Sequence, residues 1–215
     1  LSLSELTELI LPSSLKVASQ KTLTVSGEKG QLTFGGALTF ENGSEFILNS
    51  PGLKVSGVID FMDINTLDAQ QSASIQSSSS KWRNSQINVG QTAVLTFEDN
   101  QWQTQGTLTK TGGDMSWDNV SWSLLDDTSY NSDSLLETNT LALNNYQLAL
   151  VSAGSDLRVT DNITFDNSSE KILTGLADLT LQSSFILEDG LLSSSGGIVS
   201  FEKGAVQSGG SLDVS

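Results

Sequence analysis

The sequence predicts an all-β chain folded as a right-handed parallel β-helix, a β-solenoid with about 20 residues per coil. Three observations carry this. Short alternating segments such as Thr22-Leu23-Thr24-Val25, Gln31-Leu32-Thr33-Phe34, Ala93-Val94-Leu95-Thr96-Phe97 and Asp156-Leu157-Arg158-Val159 follow one another along the chain, with almost no helical periodicity. A motif of aliphatic, Thr or Ser, Phe and acidic residue recurs as Leu38-Thr39-Phe40-Glu41, Leu95-Thr96-Phe97-Glu98, Ile163-Thr164-Phe165-Asp166 and Val199-Ser200-Phe201-Glu202. The apolar residues Val55, Ile75, Leu95, Met115 and Leu135 lie 20 apart, as do Trp82, Trp102 and Trp122, while Ile163, Leu181 and Val199 step by 18. A solenoid explains such a column because each residue stacks on its equivalent one coil away. A pair of β-sandwiches gives no reason for it.

Residues 1–20 read as a candidate N-terminal cap, because Leu3, Leu6, Leu9 and Ile10 have a partly helical spacing that stops before Pro12. Residues 21–215 read as the solenoid, each coil contributing two or three short strands between turns of Gly, Asn, Asp and Ser. The first and third motif copies extend further: Asn42, Ser44, Glu45, Ile47 and Leu48 match Asn167, Ser169, Glu170, Ile172 and Leu173. Each inward Leu, Ile or Val contributes roughly 1.5–3 kcal/mol by burial, coil after coil. The last residues, Gly209 to Ser215, keep the solenoid pattern, and the chain starts at Leu1 without a signal peptide, so it is read as a segment of a longer protein.

Composition narrows the chemistry. Ten Lys and Arg stand against 25 Asp and Glu, a formal net charge of −15, so neither nucleic acid nor an anionic membrane surface is an expected partner. No apolar run is long enough to span a bilayer. With no His and no Cys the chain lacks the usual general base, thiolate nucleophile and zinc ligands. Charged residues are 16% of the total, while 35 Ser, 19 Thr, 13 Asn and 13 Gln make a neutral-polar surface.

Few features could carry chemistry. The four tryptophans, Trp82, Trp102, Trp117 and Trp122, are candidate glycan contacts as exposed platforms, but polar neighbours on both sides favour inward, stacked rings. The acidic pairs Asp60 with Asp63, Asp126 with Asp127 and Asp156 with Asp161 could bind calcium weakly, although solvated turns are favoured over a specific site, and no cofactor is expected. A polysaccharide-cleaving β-helix needs an Arg or Lys base with calcium, or clustered aspartates. The only arginines are Arg83 and Arg158, and no close Asp cluster stands out at one-coil spacing, so no catalytic or metal-binding residue is assigned. The Ser77-Ser78-Ser79-Ser80 run reads as a flexible loop, or less well as an O-glycan acceptor. Asparagine sequons at Asn42, Asn119, Asn162 and Asn167 are expected by chance in so Ser- and Thr-rich a chain.

The absence of Cys, the few charges, the abundant Ser, Thr, Asn and Gly, and coils near 20 residues together resemble the passenger domains of bacterial autotransporters and related secreted β-helical adhesins. Gly35-Gly36-Ala37-Leu38 followed by Phe40, and Phe97-Glu98-Asp99-Asn100, are similar to the GGA-aliphatic and Phe-x-x-Asn motifs of the polymorphic outer-membrane proteins in that class. The resemblance implies an extracellular, cell-surface location, a parallel β-helix and a role in adhesion or aggregation. It transfers no binding residue. The expected function is therefore that of a non-enzymatic adhesin stalk or cell-surface structural protein. Its expected partners are a host or neighbouring cell-surface glycan or protein, or further copies of itself. The alternatives are a self-assembling filament or sheath subunit, and a carbohydrate-active β-helix.

Overall fold

A computed structural model describes residues 8–27, 31–98, 100–165 and 167–214. Among them every regular element is a strand, and the parallel strands stack as a β-solenoid whose equivalent positions lie about 21 residues apart. Contacts group the chain into two compact units, Leu1–Trp102 with Thr109–Asn119, and Gln103–Leu108 with Val120–Ser215.

In the first unit each turn supplies three strand segments, some of them continuous in one longer strand, and each segment pairs in parallel with its counterpart one turn on. Glu8–Leu11 pairs with Gln31–Phe34, which pairs with the start of Gly52–Phe61, which pairs with the start of Ala73–Glu98. Leu15–Val17, Leu38–Phe40 and the end of Gly52–Phe61 make the second series. Thr22–Ser26, Glu45–Asn49 and Thr66–Ala69 make the third. Alternation sends every second side chain inward, so registered columns form, such as Leu32, Leu53 and Ile75, or Phe46, Leu67 and Ile87, all buried. One column is aromatic: Phe40 stacks on Phe61 with centroids 4.7 Å apart and planes 6° off parallel, and Phe61 on Trp82 at 4.2 Å and 18°. Such offset contacts add to the area these rings bury.

The second unit repeats the arrangement. Leu136, Leu157, Leu179 and Val199 are in register, as are Leu148, Ile172, Leu192 and Leu212. An irregularity between Thr138 and Thr140 admits an extra residue opposite them, so Thr138 pairs with Val159 and Thr140 with Asn162.

One corner of the first unit explains how the turns stay aligned. Gln20, Gly43, Ile64 and Asn84 occupy equivalent places, each two residues before registered strand positions, and all four are left-handed, with φ of 58°, 71°, 51° and 45°. Main-chain bonds link them vertically: Gln20 N–H donates to the Asn42 carbonyl at 3.3 Å and Gly43 N–H to the Asp63 carbonyl at 3.0 Å. Repeating one backbone conformation at one corner returns the chain to the same place one layer up.

Two expectations need correction. The candidate cap has no helix at its described end: Glu8–Leu11 and Leu15–Val17 are solenoid strands, so Leu9 and Ile10 follow strand alternation, while Leu3 and Leu6 lie outside the described residues. Nor do Val55, Ile75, Leu95, Met115 and Leu135 form one column. Ile75 pairs with Leu53, and Val55 pairs with Ser77, because the spacing between registered positions there is 22 and not 20. The first four are buried all the same, whereas Leu135 is 41% exposed.

Candidate functional site

Alternation decides where the four tryptophans, the candidate glycan contacts, are placed. Trp82 and Trp102 lie between outward neighbours on long strands, and their exposure is 1% and 0%; Trp117 and Trp122 are at 8% and 1%. No indole face is presented to a sugar. In the first unit Trp82, Trp102 and Trp117 form a continuous array, with centroid separations of 5.2 Å and 4.3 Å, and Phe97 meets Trp102 edge-on at 4.8 Å. In the second unit Trp122 packs edge-on against Tyr130 at 5.7 Å.

The indole N–H groups create the polar chemistry inside. Trp82 Nε1 donates to Ser80 Oγ at 3.0 Å, Ser80 Oγ donates to Asn100 Oδ1 at 3.1 Å, and Asn100 Nδ2 donates to Ser77 Oγ at 2.6 Å. Ser77, Ser80 and Asn100 are all buried. This overturns the loop expected at Ser77 to Ser80: the run lies within the strand Ala73–Glu98, and two of its hydroxyls serve the core. A serine run lacks the apolar alternation that marks a strand, so nothing local signalled it. In the second unit Trp122 Nε1 donates to Thr104 Oγ1 at 2.8 Å, and Thr104 meets Thr128 at 3.3 Å. These buried polar groups are thereby satisfied in chains linking successive turns.

The acidic pairs resolve into separate structural contacts. Asp60 Oδ1 accepts Arg83 Nη1 at 2.7 Å, and Asp63 Oδ1 accepts Asn84 Nδ2 at 2.8 Å. Asp126 Oδ1 accepts the N–H of Asp127, and Asp127 Oδ1 accepts the N–H of Gln147, both at 2.8 Å. Asp156 Oδ1 accepts the Asp178 N–H at 2.9 Å, while Asp161 is exposed. Among the described residues no group of three or more acidic side chains is placed to hold a metal ion.

Comparison with family models, with curated proteins and with solved structures gives no match.

Outward side chains also form columns. In the first unit Lys16, Thr39, Asp60 and Lys81 are in register, as are Thr22, Glu45, Thr66 and Gln86. Asn88 Oδ1 accepts Gln86 Nε2 at 2.7 Å and Thr111 Oγ1 at 3.0 Å. Some charged side chains pair between turns. Glu41 binds Lys16, and that hydrogen bond, with a second from the Ser19 N–H, lowers the Glu41 carboxyl below its ordinary value. In the second unit Arg158 Nη1 meets Glu137 Oε2 at 3.0 Å, one turn apart in register. The result is a ladder of hydrogen-bonding side chains repeating at the strand spacing of about 4.8 Å.

Proposed function

We propose that the chain is a non-enzymatic structural segment of an extracellular, cell-surface protein, an adhesin stalk whose outward polar columns meet a glycan or protein of a neighbouring cell. One observation carries the reading: both arginines, the bases a polysaccharide-cleaving site would draw on, instead join one turn to the next, Arg83 to Asp60 and Arg158 to Glu137. A chain whose two arginines are both engaged in holding neighbouring turns together is suited to reach and to multivalent contact rather than to bond making. The resemblance to autotransporter passengers points the same way.

Beads coated with the protein test it. Expected is cell or glycan attachment above uncoated beads, with no release of product from acidic polysaccharides in the presence of calcium. Product release would move the reading to a carbohydrate-active β-helix. Failure to attach to any cell or glycan surface would remove the adhesive role.

A further inference from the structure

The chain contains a single Asn-Gly pair, Asn42-Gly43, and it lies on the left-handed corner described above. Both residues are exposed. The pair is held by the turns on either side: Gln20 N–H donates to the Asn42 carbonyl at 3.3 Å, and Gly43 N–H donates to the Asp63 carbonyl at 3.0 Å. Ser44 closes the bend, its N–H and Oγ both donating to the Glu41 carbonyl, at 3.0 Å and 2.6 Å. The sequence repeat aligns Asn42 with Asn167, which is followed by Ser168 and whose Oδ1 accepts the Ser169 N–H at 2.9 Å.

We propose that Asn42 is a site of spontaneous deamidation, gated by the stacking of this corner. Gly43 has no Cβ to hinder its main-chain nitrogen. Once that nitrogen loses its proton to solvent base it attacks Asn42 Cγ. The N–Cγ bond forms, the Cγ–Nδ2 bond breaks, and the side-chain nitrogen takes up a proton and leaves as ammonia. Water then opens the cyclic imide at either carbonyl, giving aspartate or isoaspartate, with no change in oxidation state. In the stacked corner the proton to be lost is donated to Asp63, so the nucleophile forms only when the turns part. The isoaspartate product routes the main chain through Cβ and adds one methylene between Gln20 and Asp63. The two vertical bonds can no longer both close, and a transient opening becomes permanent.

The test compares the intact protein at neutral pH in its native state and in denaturant, following Asn42 by peptide mass and isoaspartate by enzymatic methylation. The Asn42→Ser variant serves as a blank. Conversion in the native protein should be slower at least tenfold, the equivalent of about 1.4 kcal/mol of opening. Equal rates in the two states would overturn the gating, and faster loss at another asparagine in denaturant would overturn the choice of site. The isoaspartate form, separated by ion exchange, should melt below the unmodified protein. A superimposable melting curve would overturn the locking step.

Discussion

Asp156 and Asp178 make the same contact one turn apart: Asp156 Oδ1 accepts the Asp178 N–H at 2.9 Å, and Asp178 Oδ1 accepts the Ile198 N–H at 2.8 Å. Each carboxylate sits just before a strand and satisfies the N–H that begins the same strand region in the next turn. Asp178→Ala should cost about 1 kcal/mol, as expected for a partly exposed hydrogen bond. Asp178→Asn keeps an acceptor oxygen and should retain most of it. Denaturant midpoints of the two variants check this, and equal losses would show that charge, not the bond, matters.

Trp102 lies where Trp82, Phe97 and Trp117 converge, with no exposed surface. Trp102→Ala should destabilise by about 3–5 kcal/mol through lost burial and the cavity left behind. An unaltered melting curve with loss of sugar binding would restore the exposed-platform reading.

The alternation of the sequence explains why a wrong register still found the core. Inward positions recur every second residue, so reading a spacing of 22 as 20 lands on the next inward residue of the same strand. Val55 and Ile75 are therefore both buried without being register partners. Leu135 fails because it lies on a corner just before the strand Leu136–Ala142, where parity lapses. The four Phe motifs mark strand ends, with Phe40, Phe97 and Phe165 wholly buried. Hidden in the sequence were the partners of the indoles. Ser77, Ser80 and Asn100 meet only through stacking, and an amide 20 residues from a hydroxyl has no local signature.

Ile64 is the misfit on the left-handed corner. It is β-branched, adopts φ of 51°, and its side chain is 68% exposed, so little burial offsets the strain. For an L-residue that conformation costs roughly 1–2 kcal/mol. Asn tolerates it, as Asn84 does one turn later. Ile64→Asn should raise stability by about 1 kcal/mol, and Ile64→Gly by less, because glycine gains more freedom on unfolding. Guanidinium midpoints test the order. A loss of stability in both variants would show that the Ile64 side chain makes a contribution larger than its strain.

Tyr130 should weaken the fold at alkaline pH. It is fully buried, and removal of its hydroxyl from water raises its pKa far above the ordinary 10.0. The folded-state pKa lies above the unfolded one, so the stabilising contribution is whole below pH ~10 and is lost as pH rises towards the folded value. Above pH ~10 the unfolded chain releases this proton and the native chain keeps it, so stability should fall with a slope approaching 1.4 kcal/mol per pH unit from this group alone. Tyr130→Phe removes that slope while preserving the ring against Trp122. Unfolding of the two proteins at a series of alkaline pH values should therefore give curves that diverge above pH ~10 in favour of the variant. Parallel curves would mean that the hydroxyl ionises in the folded chain.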